Sequence, residues 1–191
     1  MNTPGHYILN LALLGKAIAP QYNLAIAIGA VLPDVPIFIF YFVTKFIYKM
    51  PEGKIWSEAY YEPFWHDTTA LFHSIPLALI GAAICYLCGW QLGLILFISM
   101  VCHSLLDLPV HNDDAHRHFF PLSEYRFISP FSYWDVNHHA RIVAFIEMAL
   151  VISVNPIIFR LLDSPWTKGI AIAIDLFYLW GYFRFYLSIR L

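Results

Sequence analysis

The residues best suited to chemistry lie between Met100 and Asp135, where four histidines and four aspartates fall in MVCHSLLDLPVHNDDAHRHFFPLSEYRFISPFSYWD. His103 and Asp107 are four residues apart, so on a helix they share one face. A neutral imidazole and a carboxylate on one face are what a divalent cation takes from a single helix. His111, Asp113, Asp114, His116 and His118 follow directly. The stretch reads as one wall of a metal site, with the other wall supplied from elsewhere in the chain.

The elements that must position that wall are membrane helices. The chain is 60% hydrophobic and 13% charged, about half the charge of an ordinary soluble domain. Its apolar runs are continuous rather than alternating, which excludes a barrel and leaves helices to satisfy the backbone in lipid. The expected fold is all-α: one polytopic domain over residues 1–191 with about four full transmembrane helices and an N-terminal hairpin of short helices. A net charge of −2 with no basic patch gives no reason to expect nucleic acid. Cys85, Cys88 and Cys102 lie in apolar helices and read as packing residues. The N-terminus has no cationic leader, so no cleaved signal is expected.

Thr3-Pro4 is a helix start, with Thr3 as cap and Pro4 at the first position. The spacing predicts a helix from Pro4 to Ile18 and a second from Tyr22 to Leu32, each too short to span. As a hairpin with Lys16 near its tip, they return His6 and Asp34 to one level. Leu32-Pro33-Asp34-Val35-Pro36 should break the second helix and hold Asp34 on extended backbone. Asp34 then either faces the site or simply caps a helix over Val35 to Lys49.

Met50 to Pro63 is polar and turn-like, and His66-Asp67 follows it. Ser74 is placed to cap a helix reaching Cys88, and Gln91 to Leu108 returns after a turn at Gly89-Trp90. With both arms of bilayer length, His73 at one entrance meets His103 and Asp107 near the other exit, placing the site at one membrane face. Residues 111–135 form an extramembrane loop too aromatic to be disordered, expected to cover the site. His116 and His118 alternate about Arg117, a pattern suited to metal or, with Arg126, to an anion such as phosphate. Asp135 should cap a helix from Val136 to Arg160, with His138 and His139 in its first turn. Ser164-Pro165 opens a last helix to Ile189.

Two carboxylates, Glu147 and Asp175, fall near mid-bilayer. They either hydrogen-bond to Tyr or Ser partners and to each other, or form a proton or ion path. Basic residues are nearly balanced between the faces, Arg190 being placed on the site side, with a slight lean to a site facing away from the cytoplasm.

Thr3-Pro4-Gly5-His6, Leu32-Pro33-Asp34, Phe72-His73-Ser74 and His103-Ser104-Leu105-Leu106-Asp107 come in the order seen in the bacterial membrane-bound metal-dependent hydrolases, a sparsely characterised family that residues 1 to 135 resemble. Phe119-Phe120-Pro121-Leu122-Ser123 is similar to that family's loop. The ligand order is also similar to that of zinc-dependent phospholipase C. The resemblance implies His6, Asp34, His73, His103 and Asp107 as ligands of one or two divalent ions, zinc first, in an integral protein of the bacterial inner membrane. There are departures. Pro36 stands where the family often has a second Asp, His66-Asp67 stands in place of His-Arg-Gly, and neither His138 nor His139 is followed by Glu four residues on, so a full trinuclear site is not expected.

The function that follows is hydrolysis of a phosphate ester or lipid-type substrate at the membrane face. Asp67 or His116 is the candidate general base, and Arg117 the candidate stabiliser of phosphate charge. His66, His111, Asp113, Asp114, His118, His138 and His139 are candidates for a second metal or for substrate. The expected partners are membrane lipid and a phosphate-containing molecule. The rival reading is a non-enzymatic metal-binding membrane protein, or a metal-ion or proton carrier using Glu147 and Asp175; it lacks the internal symmetry of a transporter.

Overall fold

The computed structural model describes residues 1–15 and 20–187, so Lys16, the 16–19 tip and Arg190 lie outside the described residues. Among the described residues the regular elements are all helical, with no strand. We label the helices α1 (Thr3–Asn10), α2 (Asn23–Val31), α3 (Val35–Phe42), α4 (Glu52–Ser57), α5 (Pro63–Phe72), α6 (Ile75–Leu87), α7 (Gln91–Asp107), α8 (Ala140–Leu161) and α9 (Pro165–Gly181). Four stretches are long and apolar enough to cross a membrane: Asn23–Ile47, Gln91–Val110, Ala140–Leu161 and Pro165–Leu187.

The first of these differs from expectation. The Leu32–Pro36 segment does not break the chain. Leu32–Asp34 forms a single tight turn, Asp34 has helical angles (φ −82°, ψ −15°), and α2 runs on through α3. The reason lies in the prolines. Pro33 and Pro36 each fall in the first turn of the segment they open, where no backbone donor is needed and their φ suits a helix. Asp34 stands at the capping position of α3 but makes no cap bond, and its carboxylate faces His73 and His103 instead. Thr3 is likewise no cap; its hydroxyl donates to Asp34 Oδ2 at 2.5 Å. Helix α6, at 13 residues, is about 20 Å long, shorter than the bilayer length expected. It meets α5 at a 47° bend. Asp135 caps only the short turn Val136–His138, and α8 begins after His139, whose φ of 65° is left-handed. Ser74 and Ser164 do cap α6 and α9, accepting from Leu77 N and Trp166 N.

Helix α1 occupies the middle. His6, Ile8, Leu11 and Asn10 are completely buried, and Ile8 and Leu11 join Ile26, Val151, Ile158, Ile174 and Tyr178 in the main core. Asn10 donates to Ser99 O and Oγ, and Ser99 Oγ donates to Ile26 O, tying α1, α7 and α2 together. Such bonds matter where no water competes for the groups. A second core of Phe40, Ile55, Ala59 and Tyr60 seats α3 against α4. Cys85 is buried, Cys88 exposed and Cys102 half-buried, all as free thiols.

The starts of α1, α6 and α8 and the end of α7 therefore lie at one end of the bundle. Residues 111–135 form the irregular cover there, held by Ile75 N to His118 O, Ser129 N to His111 O and Tyr133 N to Val110 O.

The α2–α7 contact sets the geometry and can be tested. A Cβ on Gly29 would lie 2.2 Å from the Leu96 carbonyl oxygen, whereas one on Gly169 meets nothing within 4 Å. Gly29→Ala is expected to destabilise by about 1–3 kcal/mol or more through overpacking, lowering the thermal midpoint in detergent. Gly169→Ala should leave that midpoint unchanged or raise it.

Candidate metal centre

Six buried groups converge at this end. His6, Asp34 and His103 form one set of metal-compatible atoms, and His73, Asp107 and His116 another; within each set all atoms lie within 4.8 Å of one another. Around the centre, Asp34 Oδ1 is 3.5 Å from both His73 Nε2 and His103 Nε2, and Asp107 Oδ2 is 3.8 Å and 3.1 Å from the same two nitrogens.

Each imidazole is aimed from behind. His103 Nδ1 donates to the Ala30 carbonyl at 2.7 Å, and His73 Nδ1 to the Thr69 carbonyl at 2.9 Å. A carbonyl can only accept, so Nδ1 carries a proton in each ring, and in the neutral imidazole the lone pair is then on Nε2. This backing by a main-chain acceptor is how ligand histidines are commonly oriented. Ser104 Oγ donates to the His73 carbonyl, which explains the Ser beside the histidine in His103-Ser104. His6 stacks on His103 at 3.6 Å between ring centroids, and His116 on His73 at 3.9 Å.

The residues fit a cation. His73 Nε2, His103 Nε2 and His6 Nδ1 are buried with no hydrogen-bond partner, although carboxylate oxygens lie close to the first two. Unmade hydrogen bonds of this kind cost about 1–3 kcal/mol each. Atoms bound at about 2.0–2.2 Å to one tetrahedral ion are separated by roughly 3.3 Å, near the 3.1–3.8 Å seen here. Imidazole and carboxylate are the donor set of zinc and related divalent metals.

His116 joins the ligand group rather than standing apart as a base. Burial, and then the adjacent His73, push its pKa well below the ordinary value. Burial and His73 likewise lower His118 to about 4. Both rings are held neutral, the form that binds metal. His118 is buried, with Nδ1 3.4 Å from the His73 carbonyl.

His111 is different. Its Nδ1 lies 2.9 Å from Asp114 Oδ2 and its Nε2 3.0 Å from Asp107 Oδ1. Burial and the Met1 amino group, 2.7 Å from Nε2, lower its pKa, but the two carboxylates outweigh them and leave it raised. Asp114 also accepts from Trp134 Nε1. Burial raises the Asp114 pKa, and the His111 contact more than reverses this. His111, Asp113, Asp114 and His116 line a cavity of about 590 Å³ together with Asp34, Trp56, Tyr60, Tyr61 and Trp134.

The remaining candidates sit elsewhere. Arg117 is buried and donates to Asp67 Oδ1 at 2.6 Å and Glu124 Oε2 at 2.5 Å, with Phe120 stacked on its guanidinium at 5.0 Å. Neither Asp67 nor Arg117 lines the cavity; the pair fastens the cover to α5. His66 packs edge-on against Tyr60 and tilted against Tyr61. His138 pairs with Asp135 at 2.7 Å, and His139 is exposed beside Phe131. Glu147 and Asp175 take separate partners. Glu147 Oε1 accepts from Tyr178 OH, Asn2 N and Asn2 Nδ2, and Asp175 Oδ2 accepts from Asn155 Nδ2. Glu147 thereby anchors the chain just before α1.

Sequence reasoning missed three participants. The Met1 amino group donates to Asp107 Oδ1 at 2.5 Å. Thr3 holds Asp34, and Asn2 binds Glu147. The Thr3-Pro4 cap signature concealed the second, and no side-chain motif marks the first. Comparison with protein-family models, curated proteins and solved structures finds no match.

Metal analysis of purified protein reloaded with zinc should find bound metal in the wild type and in Asp67→Asn. His103→Ala and Asp107→Ala should each lower zinc affinity at least about tenfold, in line with the loss of a supporting group at such sites. Equal zinc affinity in all four proteins would remove the site.

Proposed function

We propose that the protein is a membrane-embedded hydrolase that uses one or two divalent cations, zinc foremost, to cleave a phosphate ester. The observation that carries this is the position of the six-residue cluster against an open cavity of about 590 Å³. A metal held only for stability needs no cavity beside it. The resemblance to the membrane-bound metal-dependent hydrolases supports the reaction class and a bacterial inner membrane, and the near balance of basic residues leans slightly to a site facing away from the cytoplasm.

His6, Asp34, His73, His103, Asp107 and His116 would hold the metal. Bound there, a divalent cation supplies acidification of water and polarisation of a phosphoryl oxygen. The chain's own residues supply the rest. Main-chain carbonyls fix the tautomers of His73 and His103, so neither needs to reorient during turnover. The Asp114–His111 pair at the cavity wall can hold a proton at His111 Nε2 and return it to a leaving oxygen, acting as general acid or base. This role takes the place of the general base expected at Asp67 or His116, while Arg117, held by Asp67 and Glu124, is left out of the proposed chemistry.

The carrier reading has less support. Glu147 and Asp175 are occupied by local hydrogen bonds on α8 and α9, and no further carboxylate links them among the described residues of the spans Ala140–Leu161 and Pro165–Leu187.

Zinc-loaded protein in detergent should hydrolyse bis(p-nitrophenyl) phosphate. His111→Gln should lower kcat by about 10²–10⁴ while keeping its zinc, since general acid–base groups contribute on that scale. Wild-type turnover no faster than buffer with zinc would defeat the hydrolase reading. Full activity in His111→Gln would remove only that residue's role.

A further inference from the structure

The helix that presents Asp34 does not end at the level of the cluster. Its apolar stretch continues to Ile47, about 20 Å further. Along this length it turns outward Phe38, Ile39, Phe42, Phe46 and Ile47, each more than half exposed. Such a row on an aqueous surface is unfavourable, and on a helix of spanning length it is a lipid face. The same wall bounds the cavity. Ile37 and Phe38 line it, and Trp56, Tyr61 and Trp134 complete the apolar side. Trp56, Tyr61 and Trp134 are each 45–47% exposed, as amphipathic rings at a lipid–water boundary are.

Charge points the same way. Among the described residues no Lys or Arg lines the cavity, whereas Asp34, Asp113 and Asp114 do. A doubly charged phosphate monoester would find three carboxylates there, and the cationic groups beside them, the Met1 amino group and His111, are already paired with Asp107 and Asp114. A phosphodiester brings a single negative charge, which the cation proposed above would meet.

We infer that the cavity takes its substrate sideways from the bilayer: a membrane-resident phosphodiester lipid, whose head group reaches the cluster while its chains remain against the outer face of α3. This rests on the hydrolase reading for the chemistry but not for the access route. Phe38 is the residue between the two, lining the cavity and facing outward at 53% exposure.

Two measurements on the full zinc-loaded chain in phospholipid nanodiscs test it. In the first, a diacyl phosphatidyl lipid with a diazirine in its head-group-proximal acyl carbons is photolysed and the adducts are mapped. Adducts concentrated on Ile37–Phe42 and Trp56 are expected. Labelling spread evenly over the lipid-facing residues of α9, such as Leu176 and Trp180, and of α3 would overturn lateral access. In the second, hydrolysis of a diacyl phosphodiester lipid in the disc is compared with that of bis(p-nitrophenyl) phosphate. The ratio of lipid to soluble turnover should fall at least tenfold in Phe38→Trp, and an unchanged ratio contradicts the proposal. Turnover of the soluble diester alone by the wild type means access from water and also overturns it. If neither compound is hydrolysed, the hydrolase reading fails, and the labelling pattern alone decides whether lipid reaches the cavity.

Discussion

The Asp107 carboxylate is the constraint on which the structure depends. Its side chain is 1% exposed, and an isolated ion in such a place costs several kcal/mol unless it is paired. Its partners come from separate parts of the chain: the amino group of Met1, His6 of α1, His103 one turn back on α7, and His111 of the cover, all within 3.1 Å. The fold that buries Asp107 must bring these elements together. That requirement accounts for a largely buried α1, for the bend at His73 between α5 and α6, and for a 25-residue segment that is irregular yet held by main-chain bonds.

Polar groups elsewhere in the bundle follow a different logic. Asn10 with Ser99, Asn155 with Asp175 and Arg117 with Asp67 and Glu124 each bind a local partner and join two elements. Asn10, Asn155, Asp175 and Arg117 each retain one unpartnered atom beside the bond that they make. At the cluster, unpartnered imidazole nitrogens on His73 and His103 face the same pair of carboxylates. This separates a binding site from structural polarity. Glu147 links the two kinds, since its bonds to Asn2 and Tyr178 hold the start of α1 where His6 can reach Asp107.

Much of the site was legible because it rests on periodicity. The His103–Asp107 interval places both on one helix face, and the antiparallel turn at Gly89 brings His73 to their level. The long apolar segments announced a helical membrane protein. Other features depend on geometry that spacing does not carry. Whether prolines at 33 and 36 break a helix or open new turns is set by a one-residue difference in register, and here the chain stays helical. His116 and His118 look equivalent in sequence, but the cover's fold puts only His116 among the ligand atoms. Arg117 looked free to meet phosphate, but the cover brings Glu124 to it and sets it against Asp67 of α5.

X-ray absorption at the zinc edge tests the central claim most directly. Protein reloaded with zinc is expected to show stoichiometric metal with only nitrogen and oxygen neighbours at about 2.0–2.2 Å, together with the outer-ring scattering of several imidazoles. A spectrum with sulfur neighbours, or one indistinguishable from hydrated zinc in solution, would contradict the account.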